Sequence, residues 1–403
     1  MRILLVNKLY APDVAGGAEI TLANLAAGML ARGHTVRVAT TTAASEASTE
    51  VVDGVEVTRL PLRNLYWHHD GVRRGPLQRL LWHARDRRNR AMGQALGRVI
   101  DDFRPDAVAF HNLAGFSAAA WEAAFARGVP TVQVLHDYYH LCPRSQLFRD
   151  GRNCKVPCNS CGVLRQGRSG ASSRIDAVIG VSRAVLDAHL RQGVFAQVPV
   201  QRVVHNAWPL AGPAPGAAPG HGLTFGYIGA LAEWKGVGRL LEAFARVARE
   251  TGSPPMRLLL AGEGERGYEA ALRARHAGAD VEFLGRVPAA DFYRRVDVCV
   301  VPSLWHDPLP SVVFEALLSG VPVLASRRGG IPEMVSHGGN GLLFDPDTEG
   351  ALETGLRAFA AEPGGLAAWK QRARASAVPF GDMARVVAAH VEVCEAAAAE
   401  RRA

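Results

Sequence analysis

The sequence predicts an α/β protein built from two Rossmann-like, doubly wound domains that face a central cleft. The chain has 403 residues, which is more than a single hydrophobic core commonly holds. Strand-like apolar runs alternate with helix-length segments along its whole length, as they do in parallel α/β sheets. A Pro-, Gly- and Ala-rich stretch at 208–222 separates this series into two halves and indicates a linker.

The first half, residues 1–207, is expected to form the N-terminal domain. Its predicted strands are 2–7, 35–40, 106–112, 131–137, 176–182 and 202–208. A helix is expected from about Ala18 to Gly33, and Ser182 is the expected N-cap of the helix that follows the fifth strand.

The second half, residues 223–380, repeats the same alternation and is expected to form the C-terminal domain. Its predicted strands are 223–231, 256–264, 281–287, 296–303, 322–326 and 341–345. A last helix over 381–403 is expected to pack back on the N-terminal domain. Because doubly wound sheets bind ligands at the carboxyl ends of their strands, we expect the site in the cleft between the domains.

Hydropathy excludes a membrane-spanning protein. The sequence has no apolar run of about 18 residues, and the apolar run near the N-terminus is too short for a signal peptide. We therefore expect a cytoplasmic protein, placed at most on the inner face of the membrane, with reduced thiols.

The net charge is +8, and much of the excess lies between Arg63 and Arg104. This stretch contains ten arginines and four acidic residues. One interpretation is a solvated helix face, and the other is a patch that meets a membrane surface or an anionic acceptor. No aromatic residues alternate with these charges in a recognition motif, so nucleic acid is not an expected partner.

Two short motifs have ordinary structural explanations. "AGEGERG" (261–267) fits G-x-G-x-x-G, but Glu263 and Glu265 would oppose a pyrophosphate, so a tight strand-to-helix turn is expected. "FDPD" (344–347) has the Asp-x-Asp spacing of metal sites, but the proline between the acids favours a turn.

Two other segments predict a binding site. "GGAE" (16–19) lies between the first strand and the first helix, where free backbone N–H groups could bind a phosphate or a sugar hydroxyl, although a plain turn explains it equally well. "HDPLPSVVFEALLSG" (306–320) places Asp307 before a helix that starts near Pro310, and Glu315 about one turn inside it. "RRGGIPE" (327–333) follows the next strand, so these side chains are expected at one edge of the sheet.

Five motifs of the second half occur in a fixed order: "IGALAEWKG", "LLLAGEGE", "VEFLGRV", "PSLWHDPLPSVVFEALLSGVPVLASRRGGIPEMV" and "GGNGLLFDPD". This series resembles retaining glycosyltransferases of family 4, which have the GT-B fold. The "GGAE" segment and the "HN" after the third strand agree with it. The resemblance spans nearly the whole chain and is strongest from Gly226 to Asp347.

The resemblance implies roles for individual residues. Glu315 would hold the ribose hydroxyls of a nucleotide, Asp307 the donor sugar, and Lys235 the diphosphate. Asp307 stands where the family usually has Glu, and Ala230 stands where it usually has an arginine. Arg286, Arg327 and Arg328 are the candidates to replace that arginine.

The resemblance also implies further residues in the catalytic, donor-binding and acceptor-side sites. The implied catalytic residues are His111, Lys235, Asp307 and Glu315. The implied donor-binding residues are Gly16, Gly17, Lys235, Arg286, Val287, Asp307, Leu309, Pro310, Glu315, Gly330 and Ile331. Glu19, His136 and Asp137 are expected on the acceptor side. His111 would position and polarise the acceptor, and its alternative is a structural histidine.

Four of the six cysteines fall within residues 141–161. Cys142, Cys154, Cys158 and Cys161 have the short spacings that suit tetrahedral zinc, in a loop that a metal would stabilise. The resemblance indicates a subgroup with this insertion, here at 141–162. We expect a structural zinc ion and no catalytic metal, with an iron–sulfur cluster or free thiols as the alternatives.

The expected activity is the transfer of a sugar from a nucleotide diphosphate sugar to a glycan or lipid-linked acceptor, with retention of configuration. Bacterial polysaccharide or glycoconjugate assembly is the expected context. Two alternatives remain, a GT-B nucleotide-sugar epimerase and a degenerate GT-B scaffold that binds partners. The sequence does not indicate an oligomeric state.

Overall fold

The computed structural model describes residues 1–209, 222–252, 254–275, 280–361 and 363–401. Most of the predicted linker at 208–222 therefore lies outside the described residues. In the part of the chain that is described, no helix is both long enough and apolar enough to cross a bilayer.

The strands alternate with helices as the sequence predicts. The strands are β1 Arg2–Val6, β2 Thr35–Thr42, β3 Ser48–Val52, β4 Val55–Pro61, β5 Ala107–Phe110, β6 Thr131–Leu135, β7 Phe148–Arg149, β8 Arg152–Asn153, β9 Ala177–Gly180, β10 Val200–Val203, β11 Leu223–Ile228, β12 Met256–Ala261, β13 Val281–Gly285, β14 Val298–Val301, β15 Val323–Ser326 and β16 Gly341–Phe344. The α-helices are α1 Gly17–Ala31, α2 Pro76–Arg85, α3 Arg90–Phe103, α4 Ala119–Phe125, α5 Asn159–Arg165, α6 Arg168–Ser172, α7 Arg183–Leu190, α8 Val237–Ala248, α9 Arg266–Arg275, α10 Ala289–Tyr293, α11 Ser311–Leu318, α12 Ala351–Ala361, α13 Leu366–Gly381 and α14 Met383–Glu400.

The chain divides into two compact units. Unit 1 contains Met1–Leu147, Cys154–Ala207 and Met383–Ala403, and unit 2 contains Phe148–Asn153 and Trp208–Asp382. The short hairpin β7–β8 thus belongs to unit 2, although it lies within the predicted N-terminal domain. The C-terminal helix α14 belongs to unit 1.

Unit 1 is built on an eight-stranded sheet in the order β10-β9-β6-β5-β1-β2-β4-β3. All neighbouring strands are parallel except β3 and β4. The strand order reverses direction between β1 and β5, so this is the switch point where ligands bind in doubly wound sheets. Helix α14 packs closely on α1 because Gly28 has no side chain; a Cβ there would lie 2.5 Å from Val387 Cγ2.

Unit 2 is built on a six-stranded parallel sheet in the order β13-β12-β11-β14-β15-β16. Its switch point lies between β11 and β14. The core on one face joins Phe225, Leu240, Phe244, Leu258 and Leu356, all of which are fully buried. This packing fixes the strand ends that carry the predicted donor-binding residues.

Helix ends agree with the residues that the sequence singles out. Pro310 is the N-cap of α11, and Gly320 follows the helix with a φ of 74°. The side chain of Ser182 caps α7 by accepting a hydrogen bond from Val185 N at 3.2 Å.

Two hairpins are absent from the sequence prediction. Strands β3 and β4 pair antiparallel across Asp53–Gly54, and β7 and β8 pair across Asp150–Gly151. Both turn residues have positive φ in each case, as a type I′ turn requires. Within the segment 141–162, which is expected to be a loop, the Asp-Gly turn closes the short ribbon β7–β8, and α5 begins at Asn159.

Candidate active site

The centre of the candidate site in unit 2 is an ion pair at the switch point of the sheet. Lys235 follows β11, and Asp307 follows β14. The Lys235 Nζ atom lies 2.5 Å from Asp307 Oδ2, and the side chains are only 24% and 7% exposed. Lys235 Nζ also lies 5.4 Å from the centre of the Trp305 ring. A cation is therefore held at the point where strand order predicts a ligand.

Backbone contacts hold Asp307 in place. Its carbonyl oxygen accepts a hydrogen bond from Gly330 N at 2.9 Å. Gly329 has a φ of 54°, and a Cβ there would lie 1.9 Å from the Asp307 oxygen. Only glycine permits this approach, so the loop after β15 and the segment after β14 form one structure.

The amides of this loop already have acceptors. Gly330 N donates to Asp307 O, and Ile331 N donates to Arg328 O at 3.1 Å. The resemblance implies that these amides approach the diphosphate, but in this structure both are bonded within the loop. The longest bond of the loop runs from Gly329 N to His306 Nδ1 at 3.4 Å, so this is the amide that a ligand oxygen would capture most readily.

Asn153 is a residue of this site that the sequence reasoning missed. Its Nδ2 donates to Leu304 O at 2.7 Å, and its Oδ1 accepts from His306 N at 2.9 Å. One side chain thus satisfies the backbone on both sides of Trp305. The only signal in the sequence is the Asp-Gly turn that closes the hairpin and presents Asn153.

Arg328 lies next to the same segment. Its Nε donates to Leu304 O at 3.3 Å, and its Nη2 lies 2.6 Å from Asp347 Oδ2. The second acid of "FDPD" therefore orients the Arg328 guanidinium group. Arg286, by contrast, has an 84% exposed side chain and pairs with Glu263 at 3.2 Å.

Glu315 lies on the first turns of α11 and is partly buried. Burial raises the pKa of Glu315, and a hydrogen bond with Ser311 opposes that shift. Leu309 and Pro310, just before the helix, are buried, whereas Val287 is partly exposed. The helix N-terminus, the Lys235–Asp307 pair and the loop after β15 are thus all carried by unit 2.

In unit 1, two histidines meet at the carboxyl ends of β5 and β6. His111 Nδ1 lies 2.8 Å from His136 Nε2, and the two rings stack with their centres 5.1 Å apart. Burial, together with His136 and His390, lowers the pKa of His111 well below its ordinary value. His111 Nε2 is buried and has no hydrogen-bond partner among the described residues. A neutral imidazole therefore carries an unused nitrogen at this switch point.

The other two predicted acceptor-side residues, Glu19 and Asp137, accept hydrogen bonds from backbone N–H groups of unit 1. Glu19 Oε2 accepts from Gly16 N at 2.9 Å and so caps α1, which begins at Gly17. Asp137 Oδ1 accepts from Tyr139 N at 2.7 Å. Burial raises the pKa of Asp137, while Lys8 lowers it. The amide of Gly16 is therefore occupied, and Glu19 is a helix cap in this structure.

The four cysteines of 141–162 do not form a complete metal site. Within the described ranges, no group of three or more His, Cys, Asp or Glu side chains is placed to hold a metal ion. Cys158 Sγ and Cys161 Sγ lie 3.5 Å apart, and Cys161 also hydrogen-bonds Cys142. That bond and backbone N–H groups lower the pKa of Cys142 to about 5. The zinc site stays a prediction.

Comparison with known protein families matches both halves of the chain. The model described as "Glycosyltransferase Family 4" matches residues 15–210. The model described as "Glycosyl transferases group 1" matches residues 222–361. The two matches together cover most of the chain.

Two curated relatives extend over most of the chain as well. An uncharacterized 42.6 kDa protein in the cps region of Klebsiella pneumoniae is 29% identical over 83% of this chain and 87% of its own length. A glycogen synthase of Mycobacterium tuberculosis is 28% identical over 93% of this chain and 89% of its own length.

Solved structures have the same fold. Sucrose-phosphate synthase from Thermosynechococcus elongatus superposes with a TM-score of 0.75 at 18% identity, covering 97% of each chain. Anabaena HepE in complex with UDP-glucose superposes with a TM-score of 0.70 at 20% identity, covering 97% of this chain and 99% of its own. With both halves matched by glycosyltransferase families and the parallel sheets in place, the chain belongs to the family 4-like glycosyltransferases with the GT-B fold.

Proposed function

We propose that this glycosyltransferase moves a sugar from a nucleotide diphosphate sugar to a glycan or lipid-linked acceptor with retention of anomeric configuration. The observation that carries the proposal is the Lys235–Asp307 pair, a half-buried cation at the switch point of unit 2. The cps-region relative and the glycogen synthase support a role in polysaccharide or glycoconjugate assembly. The structure of HepE with UDP-glucose supports a nucleotide-sugar donor.

Unit 2 would hold the donor. Lys235 would neutralise the diphosphate, and Glu315 would accept hydrogen bonds from the ribose hydroxyls. Asp307 would contact the donor sugar through its carboxylate. We assign Arg328 as the cation that replaces the arginine missing at Ala230, because it is bonded to Leu304 and oriented by Asp347.

Bond cleavage needs stabilisation of the negative charge that develops on the leaving diphosphate. A fixed ammonium group, a guanidinium and the N-terminus of α11 provide such stabilisation without reorganising at the moment of reaction. The incoming diphosphate would replace Asp307 as the ion-pair partner of Lys235. The Asp307 carboxylate would then be available to bind the sugar. The pair thus links donor binding to the placement of the sugar.

Unit 1 would hold the acceptor. Neutral His111 would polarise the acceptor hydroxyl through Nε2, and His136 would fix the ring orientation through the bond to Nδ1. We do not assign His111 as the final proton acceptor, because its lowered pKa makes it a weak base. The departing diphosphate would take that proton.

We further propose that Cys142, Cys154, Cys158 and Cys161 bind one structural zinc ion, in reduced protein. The close Cys158–Cys161 pair supports this proposal, as do the backbone N–H groups that face the Cys142 sulfur. Zinc would hold the segment together and would take no part in the transfer.

The decisive experiment is a donor panel of UDP, GDP and ADP sugars, measured by calorimetry, followed by NMR analysis of the product anomer. One donor class should bind, and its product should keep the configuration of the donor. Lys235→Ala combined with Glu315→Ala should abolish binding, and transfer that survives this change would overturn the site.

The same panel separates the alternatives. A free epimerised sugar with no acceptor product would indicate the epimerase. Absence of binding to every donor by folded protein would indicate the partner-binding scaffold.

A further inference from the structure

The most exposed helix of unit 1 is α2, Pro76–Arg85. Of its ten residues only Trp82 is buried. Trp82 anchors the helix, since its Nε1 donates to Tyr66 O at 3.0 Å and its ring packs on His68 at a centre distance of 5.1 Å. His83 is partly buried beside Trp82, and Arg85 Nε donates to Arg63 O at 3.0 Å, but the remaining side chains of the helix are exposed.

The apolar stripe of α2 faces outward. Leu77, Leu80, Leu81 and Ala84 follow the i, i+3, i+4, i+7 spacing that places side chains on one face of a helix. All four are exposed, and Leu77 is 68% accessible. A helix of a globular protein normally turns such a stripe toward the core, so this orientation requires an explanation.

Exposed apolar side chains are concentrated here. Eleven large apolar side chains are exposed in the described chain, and five of them lie between residues 65 and 81. The five are Leu65, Val72, Leu77, Leu80 and Leu81. A concentration of exposed apolar side chains of this kind indicates an interaction site.

Positive charge surrounds this surface. Arg73 and Arg74 precede the stripe, and Arg85, Arg87 and Arg88 follow it. The acids between residues 63 and 104 offset little of this charge. Asp101 and Asp102 pair with Arg127 and Arg37, outside the segment, and Asp86 is fully buried. Among these acids only Asp70 pairs with an arginine of the segment, Arg74, while Glu122 from outside the segment pairs with Arg88 at 2.8 Å.

A basic cavity lies at the C-terminal end of α2. It has a volume of about 550 Å³, and Ala84 stands at its edge. Its lining includes Arg85, Arg87, Arg88 and Arg168 but a single acid, Glu122. An apolar stripe that ends at an arginine-lined cavity matches a ligand with an acyl region and a phosphate-bearing headgroup.

We propose that α2 is the membrane-docking helix of this enzyme: Leu77, Leu80 and Leu81 enter an anionic phospholipid surface, while Arg85, Arg87 and Arg88 bind its phosphate headgroups. A bilayer surface fits better than an apolar protein because arginines stand at both ends of the stripe. This places unit 1 at the surface where a lipid-linked acceptor would be presented.

The test uses the full-length protein and vesicle co-flotation without donor or acceptor. Vesicles of phosphatidylglycerol and phosphatidylethanolamine should bind the protein at low salt, and vesicles of phosphatidylcholine should bind it at least tenfold less. Leu77→Gln with Leu80→Gln and Leu81→Gln should lower binding at least tenfold at any salt concentration. Arg85→Gln with Arg88→Gln should lower binding mainly at low salt.

Matched controls come from the same unit. Val51→Gln changes an apolar side chain that is 71% exposed on the edge strand β3, and Arg183→Gln changes an exposed arginine on α7. Both should bind vesicles like the wild type. All variants should keep the wild-type melting temperature and donor affinity, so a failure of docking is distinguishable from a failure of the proposed transferase function.

Two results would overturn the proposal. One is equal flotation of the leucine triple variant and the wild type, or no flotation of either. The other is a concentration-dependent dimer in sedimentation velocity that the triple variant abolishes while anionic vesicles do not bind, since α2 would then join two copies of the chain.

Discussion

Asn153 Oδ1 accepts a hydrogen bond from His306 N at 2.9 Å, and Asn153 Nδ2 donates one to the carbonyl oxygen of Leu304 at 2.7 Å. These bonds fix the segment that leads to Asp307. Asn153 lies on β8, 154 residues away from Asp307 in sequence (307 − 153), yet in the same unit. It is a positioning residue for the donor site.

Removing this side chain should loosen the donor site without unfolding unit 2. For Asn153→Ala we expect a loss of about 1 kcal/mol in donor binding, roughly a fivefold higher Kd. Asn153→Asp should lose less, because it still accepts from His306 N. The exposed neighbour Arg152→Gln is the control and should bind normally by calorimetry. An unchanged Kd in Asn153→Ala would show that the hairpin does not order the site.

Substitutions in the Lys235–Asp307 ion pair should distinguish binding of the diphosphate from placement of the donor sugar. Lys235→Gln should weaken nucleotide diphosphate binding by about 2 kcal/mol, roughly thirtyfold, because a charged hydrogen-bond donor is lost. Asp307→Asn should lower kcat more than donor affinity, since Asp307 is assigned to the sugar. The control is Lys370→Gln, because Lys370 forms a similarly half-buried pair with Asp297 at 2.8 Å in the same unit. Equal loss of donor binding in Lys370→Gln would indicate a general effect on folding.

As the pH falls, donor binding should begin to weaken at a higher pH than it would if Glu315 had the ordinary pKa of a glutamate. Burial raises the pKa of Glu315, so its carboxylate is protonated earlier as the pH falls. The protonated form accepts fewer hydrogen bonds from ribose hydroxyls. Titration of donor Kd from about pH 8 to about pH 5 should show this acid limb. Glu315→Gln should bind the donor weakly at every pH. If donor binding by this variant still weakened as the pH fell, the titration would belong to another group.

Unit 1 should lose stability as the pH falls below the ordinary histidine pKa of about 6.5. Burial lowers the pKa of several of its histidines: His136 to about 3, and His83, His189 and His390 to about 4. The unfolded chain therefore binds protons first, and stability present above pH 6.5 declines down to about pH 4. Melting temperatures over this range should fall, and His390→Gln should reduce the slope by about one proton, ~1.4 kcal/mol per pH unit. An identical slope would mean that His390 protonates in the folded state.

Metal content should depend on the cysteine segment. Elemental analysis of protein purified under reducing conditions should find about one zinc per chain, as a four-thiolate site requires. Cys158→Ser should lower the zinc content and the melting temperature more than donor affinity, whereas Cys299→Ala, in the buried strand β14, should keep the metal. Iron with visible absorption would indicate a cluster, and metal-free folded protein would indicate free thiols.

The main elements were predictable because their signals are local. Eleven of the twelve predicted strands are present, the strand predicted at 202–208 lies instead at Val200–Val203, and the Pro310 and Ser182 caps lie where the side chains indicate. The Asp53–Gly54 hairpin also has a local signal, because an Asp-Gly pair between β-branched residues favours a two-residue turn.

The sequence by itself determined the two α/β series and the residue types that a family 4-like site needs. Periodicity, caps and ordered motifs act over neighbouring residues, so they can be recognised without coordinates. Only the tertiary structure decided that Asn153 supports the Asp307 segment, that Asp347 orients Arg328, and that the leucines of α2 face outward. The first two depend on contacts between residues that are far apart in sequence. The third depends on which face of the helix packs against the core, and the local sequence pattern does not determine this.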